Sequence, residues 1–252
     1  MTLFDGLLVL FASLAGGTIN GIAGGGTFFT FSALIGTGLP PVIANATSAM
    51  ILTPASFAST FAYLPEIRRY GRRYVPLAIA SMIGGLSGAF LLLFTPSSAF
   101  RALIPFFLGF ATLLFATSPL LLKWINRFAS RPGSGKRRIT GIGMQFVVSI
   151  YGGYFGAGMG IIMLAALALA EGDDYHFINA AKNLCSLFIQ GFALIALITA
   201  GIVAWPHAII GLIGGVCGGY IGVKLARRVP TKFVRWIVVS FGAILTLRFA
   251  LV

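Results

Sequence analysis

Along residues 3–122 the chain carries almost no charge outside one short cluster. Asp5 and Arg101 are the exceptions, and every other charged side chain in that span lies within 66–73. The apolar runs left between these points are near 20 residues long, the length an α-helix needs to cross about 30 Å of hydrocarbon. With 58% hydrophobic and 9% charged residues over 252 positions, the chain lacks the polar surface that a soluble protein of this size presents. Outer-membrane barrels alternate apolar with polar residues and have no such runs. The pattern predicts an all-α polytopic membrane protein.

The net charge of +13 raises the question of nucleic acid, and position answers it. Fifteen of the eighteen Lys and Arg residues fall in 67–73, 123–138 and 224–235. These three segments separate apolar runs, which is the distribution that the positive-inside rule produces. A nucleic-acid partner is therefore not expected. The three basic loops are expected to be cytoplasmic, in a multi-pass protein of the cell (inner or plasma) membrane. No charged n-region and no small-residue cleavage site precede the first apolar run, and the first basic residue is Arg68, so a removed signal peptide is not expected. Cys185 and Cys217 fall inside apolar runs and are expected to pack as small hydrophobes.

Eight apolar segments follow in order, at 3–35, 42–64, 74–94, 100–122, 139–170, 177–200, 206–223 and 233–252. The basic loop 123–138, with Pro132-Gly133-Ser134-Gly135, divides a first membrane repeat (1–122) from a second (139–252). Segments 1 and 5 each carry a glycine cluster. In the first, six glycines occupy the eleven positions 16–26. In the second, Gly152, Gly153, Gly156, Gly158 and Gly160 surround Tyr154. Glycine weakens a helix interior by roughly 1 kcal/mol per residue. A cluster of it at membrane depth predicts an interrupted helix whose bare backbone faces something other than lipid.

The halves align. Residues 75–92 match 205–222 at seven of eighteen positions, including Pro76/Pro206, Gly84/Gly214, Gly85/Gly215 and Gly88/Gly218. Residues 96–116 match 230–250 at seven of twenty-one. Asn45-Ala46 is paired with Asn179-Ala180. Corresponding loops differ in charge: 67–73 has four arginines while its partner at 201–205 has none. The two four-segment repeats are therefore expected to be inverted. Inversion needs an odd number of crossings per repeat, so each glycine-broken first segment is expected to re-enter as a hairpin, with both termini outside. The alternative is a long broken helix that spans.

Broken helices near the midplane are where transporters built from inverted repeats bind substrate. Half-helix N-termini present free N–H groups and about half a positive charge, which suits anions. The candidate binding residues follow from proximity to the two breaks: Asn20, Gly24, Gly25, Gly26, Asn45, Thr47, Ser48, Tyr154, Gly156, Gly158, Asn179, Lys182, Asn183 and Gln190. Lys182 is the one Lys or Arg outside the loops and the segment ends. A cation inside a membrane segment is a functional candidate by default, set against snorkelling or pairing with Glu171, Asp173 or Asp174. Gln145 and Gln190 also suit interhelical hydrogen bonds. Ser87 and Cys217 align inside the repeated glycine motif and read as small residues at a helix contact. No paired membrane carboxylates, HExxH motif or P-loop occurs, so no enzymatic activity, metal or cofactor is expected. All five acidic residues sit at or near segment ends, which disfavours a buried carboxylate proton relay.

The paired elements Gly21-Ile22-Ala23-Gly24-Gly25-Gly26 and Gly153-Tyr154-Phe155-Gly156-Ala157-Gly158, the duplicated eight-segment plan and the basic central loop resemble the TauE/SafE sulfite exporter family over nearly the whole chain. The resemblance implies a secondary active transporter, and an exporter, of small anions such as sulfite and organosulfonates. It would work by alternating access with the substrate near the membrane midplane. Alternatives are a small-carboxylate permease, an anion channel or a non-transporting scaffold. The expected partners are the small anion, the lipid bilayer and a second copy in a homodimer.

Overall fold

The computed structural model describes residues 1–23, 25–69, 71–129, 135–171, 175–225 and 231–251. Among the described residues all regular structure is helical. In chain order it comprises α1 (Leu3–Ala23), α2 (Thr27–Gly36), α3 (Pro41–Ala62), α4 (Leu64–Arg69), α5 (Gly71–Phe94), α6 (Ser97–Ala129), α7 (Gly135–Tyr154), α8 (Met159–Glu171), α9 (Tyr175–Thr199), α10 (Trp205–Leu225) and α11 (Thr231–Ala250). Among the described residues five apolar helical stretches are long enough to cross a bilayer: Leu3–Asn20, Gly71–Phe94, Ser97–Leu121, Phe177–Thr199 and Lys232–Ala250. Large apolar side chains such as Phe4, Phe11, Phe106, Leu113, Ile213 and Leu247 stand exposed on the outer faces. The protein is a multi-pass helical membrane protein, and that surface is what lipid covers.

Each glycine-broken segment is two helices. The first break falls between α1 and α2, where Gly25 takes φ +93°. The second falls between α7 and α8, where Gly156 and Gly158 take φ +77° and +74°. A Cβ is strained in that left-handed region, so glycine is what lets the chain turn at these positions. The arms are unequal. α1 has 21 residues and α2 has 10, so the first break lies at the end of a nearly full-length helix, about 31 Å long, rather than near its middle. α7 and α8 have 20 and 13 residues. The two arms of the first segment run antiparallel, Gly16 against Gly26 and Leu8 against Gly36.

Small residues set the packing. α1 lies along α10 and α7 lies along α5. A Cβ on Gly214 would strike Leu10 O and the Ser13 side chain, and one on Gly218 would strike Leu14 O. A Cβ on Gly84 would strike Phe146 O and Ser149, and one on Gly88 would strike Ile150 O. These are backbone-to-backbone approaches of the kind small residues permit between membrane helices. The registers 10/214, 14/218 and 18/222 make α1 parallel to α10, and 84/146 and 88/150 make α5 parallel to α7. Gly109 meets Thr246 and Gly242 meets Thr112, so α6 and α11 run antiparallel. α3 packs on α10 through Ile51 against Gly215, and α9 packs on α5 through Ile189 against Gly85.

Several expectations change. The packing matches Ile51 with Ile189, which pairs Asn45 with Asn183 instead of Asn179. The fourth segment continues as helix to Ala129 and the fifth starts at Gly135, so helix covers much of 123–138. The short helix α4 was not foreseen, since a run of arginines has no apolar period. Cys217 is exposed and Ser87 bonds its own helix at Ile83 O. Gly84, Gly88, Gly214 and Gly218 carry the close backbone approach, and Ser87 and Cys217 do not share in it.

Candidate functional site

α3 and α9 pack together and meet through polar side chains. Ser56 Oγ donates to Gln190 Oε1 at 2.9 Å. Thr60 Oγ1 donates to Asn183 O at 3.1 Å. The partner number falls as the α3 number rises, so the two helices are antiparallel here. On α9 the residues Asn179, Lys182, Asn183, Ser186 and Gln190 recur at spacings of three and four, which places them on one face. That face also meets α8. The Lys182 stem lies beside Gly160, whose Cβ would come 3.9 Å from Lys182 Cδ, and Ser186 Oγ contacts Met163 Sδ at 3.7 Å. A polar seam inside an apolar helical body is the place where a polar solute avoids hydrocarbon.

The two breaks converge on one turn of α6. A Cβ on Gly25 would sit 2.9 Å from Phe115 Cζ, and one on Gly158 would sit 3.6 Å from Ala111 Cα and 3.5 Å from Leu114 Cδ1. Gly26 caps helix α2 without a side-chain bond. The first N–H groups turn back onto the breaks themselves: Phe28 N donates to Gly25 O at 3.2 Å and Phe29 N to Gly26 O at 3.1 Å, and at α8 Met159 N donates to Gly156 O at 3.3 Å and Ile161 N to Gly158 O at 3.1 Å.

Each candidate has a definite place. Asn20 lies at the first break, half-buried, with its Cβ 2.9 Å from where a Gly26 Cβ would be. Gly24 lies outside the described residues. Asn45 Nδ2 donates to Tyr154 O at 2.8 Å and so ties α3 to the second break. Thr47 Oγ1 accepts from Ala204 N at 3.0 Å, ahead of α10. Ser48 hydrogen-bonds Thr30 of α2. Tyr154 OH bonds Thr95 Oγ1 at 3.2 Å, and its ring packs on Phe100 and Phe107. Asn179 is buried. The Asn183 side chain is 9% exposed and forms no hydrogen bond among the described residues. Lys182 is half-buried, and no carboxylate or acceptor pairs with it among the described residues.

The expected set therefore divides. Asn45, Thr47 and Ser48 spend polar groups on ties to the second break, to the turn ahead of α10 and to α2 respectively. Lys182, Asn183 and Gln190 line the seam, on the other side of α3's midpoint: Asn45 and Thr60 are 15 residues, about 22 Å, apart along α3. Three seam residues were missed. Ser56 and Thr60 lie 11 and 15 positions beyond Asn45, and Ser186 lies four beyond Lys182; helical spacing from the residues already chosen would have found them. The buried cluster of Gln145, Ser81 and Ser149, with Gln145 Nε2 donating to Ser81 Oγ at 3.0 Å and Ser149 Oγ at 3.3 Å, joins α7 to α5. Gln145 thus makes an interhelical bond.

A body of long apolar helices with an internal polar seam and two broken helices is that of a membrane transporter, not of an enzyme. The comparisons agree. The family model described as sulfite exporter TauE/SafE matches residues 8–249, and the chain belongs to that family. It is similar to the probable membrane transporter protein YfcA of Escherichia coli K12, at 23% identity over 244 residues, covering 95% of this chain and 87% of that one. It is also similar to probable membrane transporter proteins of Haemophilus influenzae (25% over 254 residues, 96% and 93% covered) and of a Sinorhizobium species (ORF9; 23%, 94% and 89%). No solved structure matches the chain significantly.

Proposed function

We propose that this protein is a secondary transporter that exports small anions, with sulfite and organosulfonates foremost, by alternating access along the α3–α9 seam. The observation that carries the reading is Lys182. A lysine held inside a membrane helix without a counter-ion is expensive, and an anionic ligand supplies the missing partner. Asn183 offers a neutral donor on the same face of α9, and Ser186, whose hydroxyl meets only the weak acceptor Met163 Sδ among the described residues, offers a second. The family name of sulfite exporter supports the substrate class.

The architecture we propose is an inverted pair. Exchanging α1, α2, α3, α5 and α6 for α7, α8, α9, α10 and α11 turns the α1/α10 contact into α7/α5 and the α3/α10 contact into α9/α5. The parallel and antiparallel registers then require corresponding helices to run in opposite directions. With the basic loops in the cytoplasm of a cell-membrane protein, both glycine breaks are hairpins and both termini lie outside. In proteoliposomes, wild-type protein is expected to show saturable, trans-stimulated uptake of sulfite or a short sulfonate. Lys182→Gln should lower its apparent affinity about tenfold or more, the loss of one charge-assisted contact, while Lys182→Arg keeps most of it. Flux that never saturates would mean a channel, and absence of flux for sulfite, sulfonates and short carboxylates alike would overturn the proposal.

A further inference from the structure

We infer that α3 is hinged at Pro54 and that Asn45 is the latch of a gate formed by its first half. The use of such a gate rests on the transport reading above, while the hinge itself does not depend on the anion. Proline has no N–H, so Pro54 leaves Met50 O without its helical donor in the interior of α3. Thr53 Oγ1 donates back to Ala49 O at 2.7 Å, and back-bonding of this kind also favours a bend in the helix. The matching position in α9, counted from Ile51 against Ile189, is Phe192, which keeps its N–H. The weak turn therefore belongs to α3 and has no match in α9.

The two sides of Pro54 are fastened to different groups of helices. α1 packs on α2 and α10, whereas α7 and α9 pack on both α5 and α8. The first half of α3 is held by the first group. Ser48 hydrogen-bonds Thr30 of α2, Thr47 Oγ1 accepts from Ala204 N ahead of α10, and Ile51 packs on Gly215 of α10. The second half is held by the second group, through Ser56 to Gln190 and Thr60 to Asn183 of α9. Relative movement of the two groups has to be taken up between Ile51 and Ser56, and Pro54 lies in that stretch. A helix that already lacks one i→i−4 bond bends there at least cost. Asn45 crosses the division. From the first half of α3 its Nδ2 reaches Tyr154 O, at the end of α7 in the second group. Phe31 of α2 closes edge-on against Phe155 across the same junction. Asn45 and Tyr154 are buried here, and Ala46 beside them is fully buried. The matched Asn183 makes no side-chain bond among the described residues, so this structure is latched at the Asn45 end and not at the Asn183 end. A single neutral hydrogen bond is a latch that thermal motion opens.

The test is the rate at which N-ethylmaleimide alkylates Ala46→Cys in the full-length protein in detergent, with Cys185→Ala and Cys217→Ser removing its own thiols. The reaction should be slow, since position 46 is fully buried. Adding Asn45→Ala should speed it about fivefold, the weight of one neutral hydrogen bond. Adding Pro54→Ala gives Met50 O its helical donor and should slow it about threefold or more. A cysteine at the equally buried Ala208 of α10 should respond to neither change. In proteoliposomes, Pro54→Ala should lower the maximal rate of sulfite uptake by the same factor as the alkylation. Equal alkylation of Ala46→Cys with and without Pro54 overturns the hinge, whether or not sulfite is carried. An equal response at Ala208→Cys means that the opening is global and overturns the gate. Absence of uptake by wild-type protein, with alkylation changed as stated, overturns the anion reading and supports the hinge.

Discussion

The two glycine breaks do the same job with different freedom. At the first, Gly25 is wedged: a Cβ there would press on the Phe115 ring at 2.9 Å and on Val238 at 3.2 Å. At the second, Gly158 has only ordinary contacts at 3.5 Å and beyond, and the chain is held by polar ties instead. Tyr151 OH closes on Ala157 O at 2.6 Å, and Asn45 Nδ2 reaches Tyr154 O from α3. Aromatic rings surround this second break, with Phe155 packed on Phe107 and Phe31. The first break is fixed by volume and the second by hydrogen bonds, even though both turn on left-handed glycines. A sharp turn can thus be specified by steric wedging or by local polar closure, and the two respond to different substitutions.

The largest expected effect separates the breaks directly. Gly25→Ala should destabilise by about 2–5 kcal/mol, the sum of left-handed strain and overpacking against Phe115. Gly158→Ala should lose only the strain, about 1–2 kcal/mol. Thermal unfolding of both variants in one detergent measures the gap, and equal losses would break the distinction. A second contrast uses the two asparagines that the packing matches. Asn183→Ala should weaken anion binding about fivefold, one neutral hydrogen bond's worth, with an unchanged melting temperature. Asn45→Ala should reverse that outcome, lowering stability by about 1 kcal/mol with little change in affinity. Ligand titration beside thermal melts reads both, and a stability loss in Asn183→Ala equal to that in Asn45→Ala would return Asn183 to a packing role. The smallest effect is Tyr151→Phe, which removes the closure onto Ala157 O and should cost about 0.5–1.5 kcal/mol. Hydrogen exchange confined to 155–158 would localise that loss, and exchange spread along α8 would show that the tie supports more than the turn.

Much of the fold was legible in the sequence because hydrocarbon is an exacting solvent. Apolar runs near 20 residues, charge restricted to loops and glycines at membrane depth each have few structural solutions. Helix bounds were less legible. The basic stretch 123–138 reads as a loop by charge, yet helix continues into it from both sides, since lysine and arginine favour helix and water accepts their charge at its ends. The polar residues of the α3–α9 seam were legible in part. Lys182, Asn183 and Gln190 stood out as polar groups in an apolar run, and the helix brings them to one face. Asn45 and Ser48 stood out for the same reason and serve packing, because type and spacing do not say which partner a side chain meets.

What the sequence determined by itself is therefore the class of body: membrane helices, two glycine-broken segments among them, with one lysine inside an apolar run. The physical reason is local, since the length and polarity of a run decide whether it can lie in lipid. What only the tertiary structure decided is which polar groups are spent and which are left. Asn45 meets Tyr154 across 109 positions and Ser56 meets Gln190 across 134, and contacts at that separation depend on how whole helices dock. Glycine-to-backbone contacts set that docking, and it leaves Lys182 in the seam without a partner among the described residues.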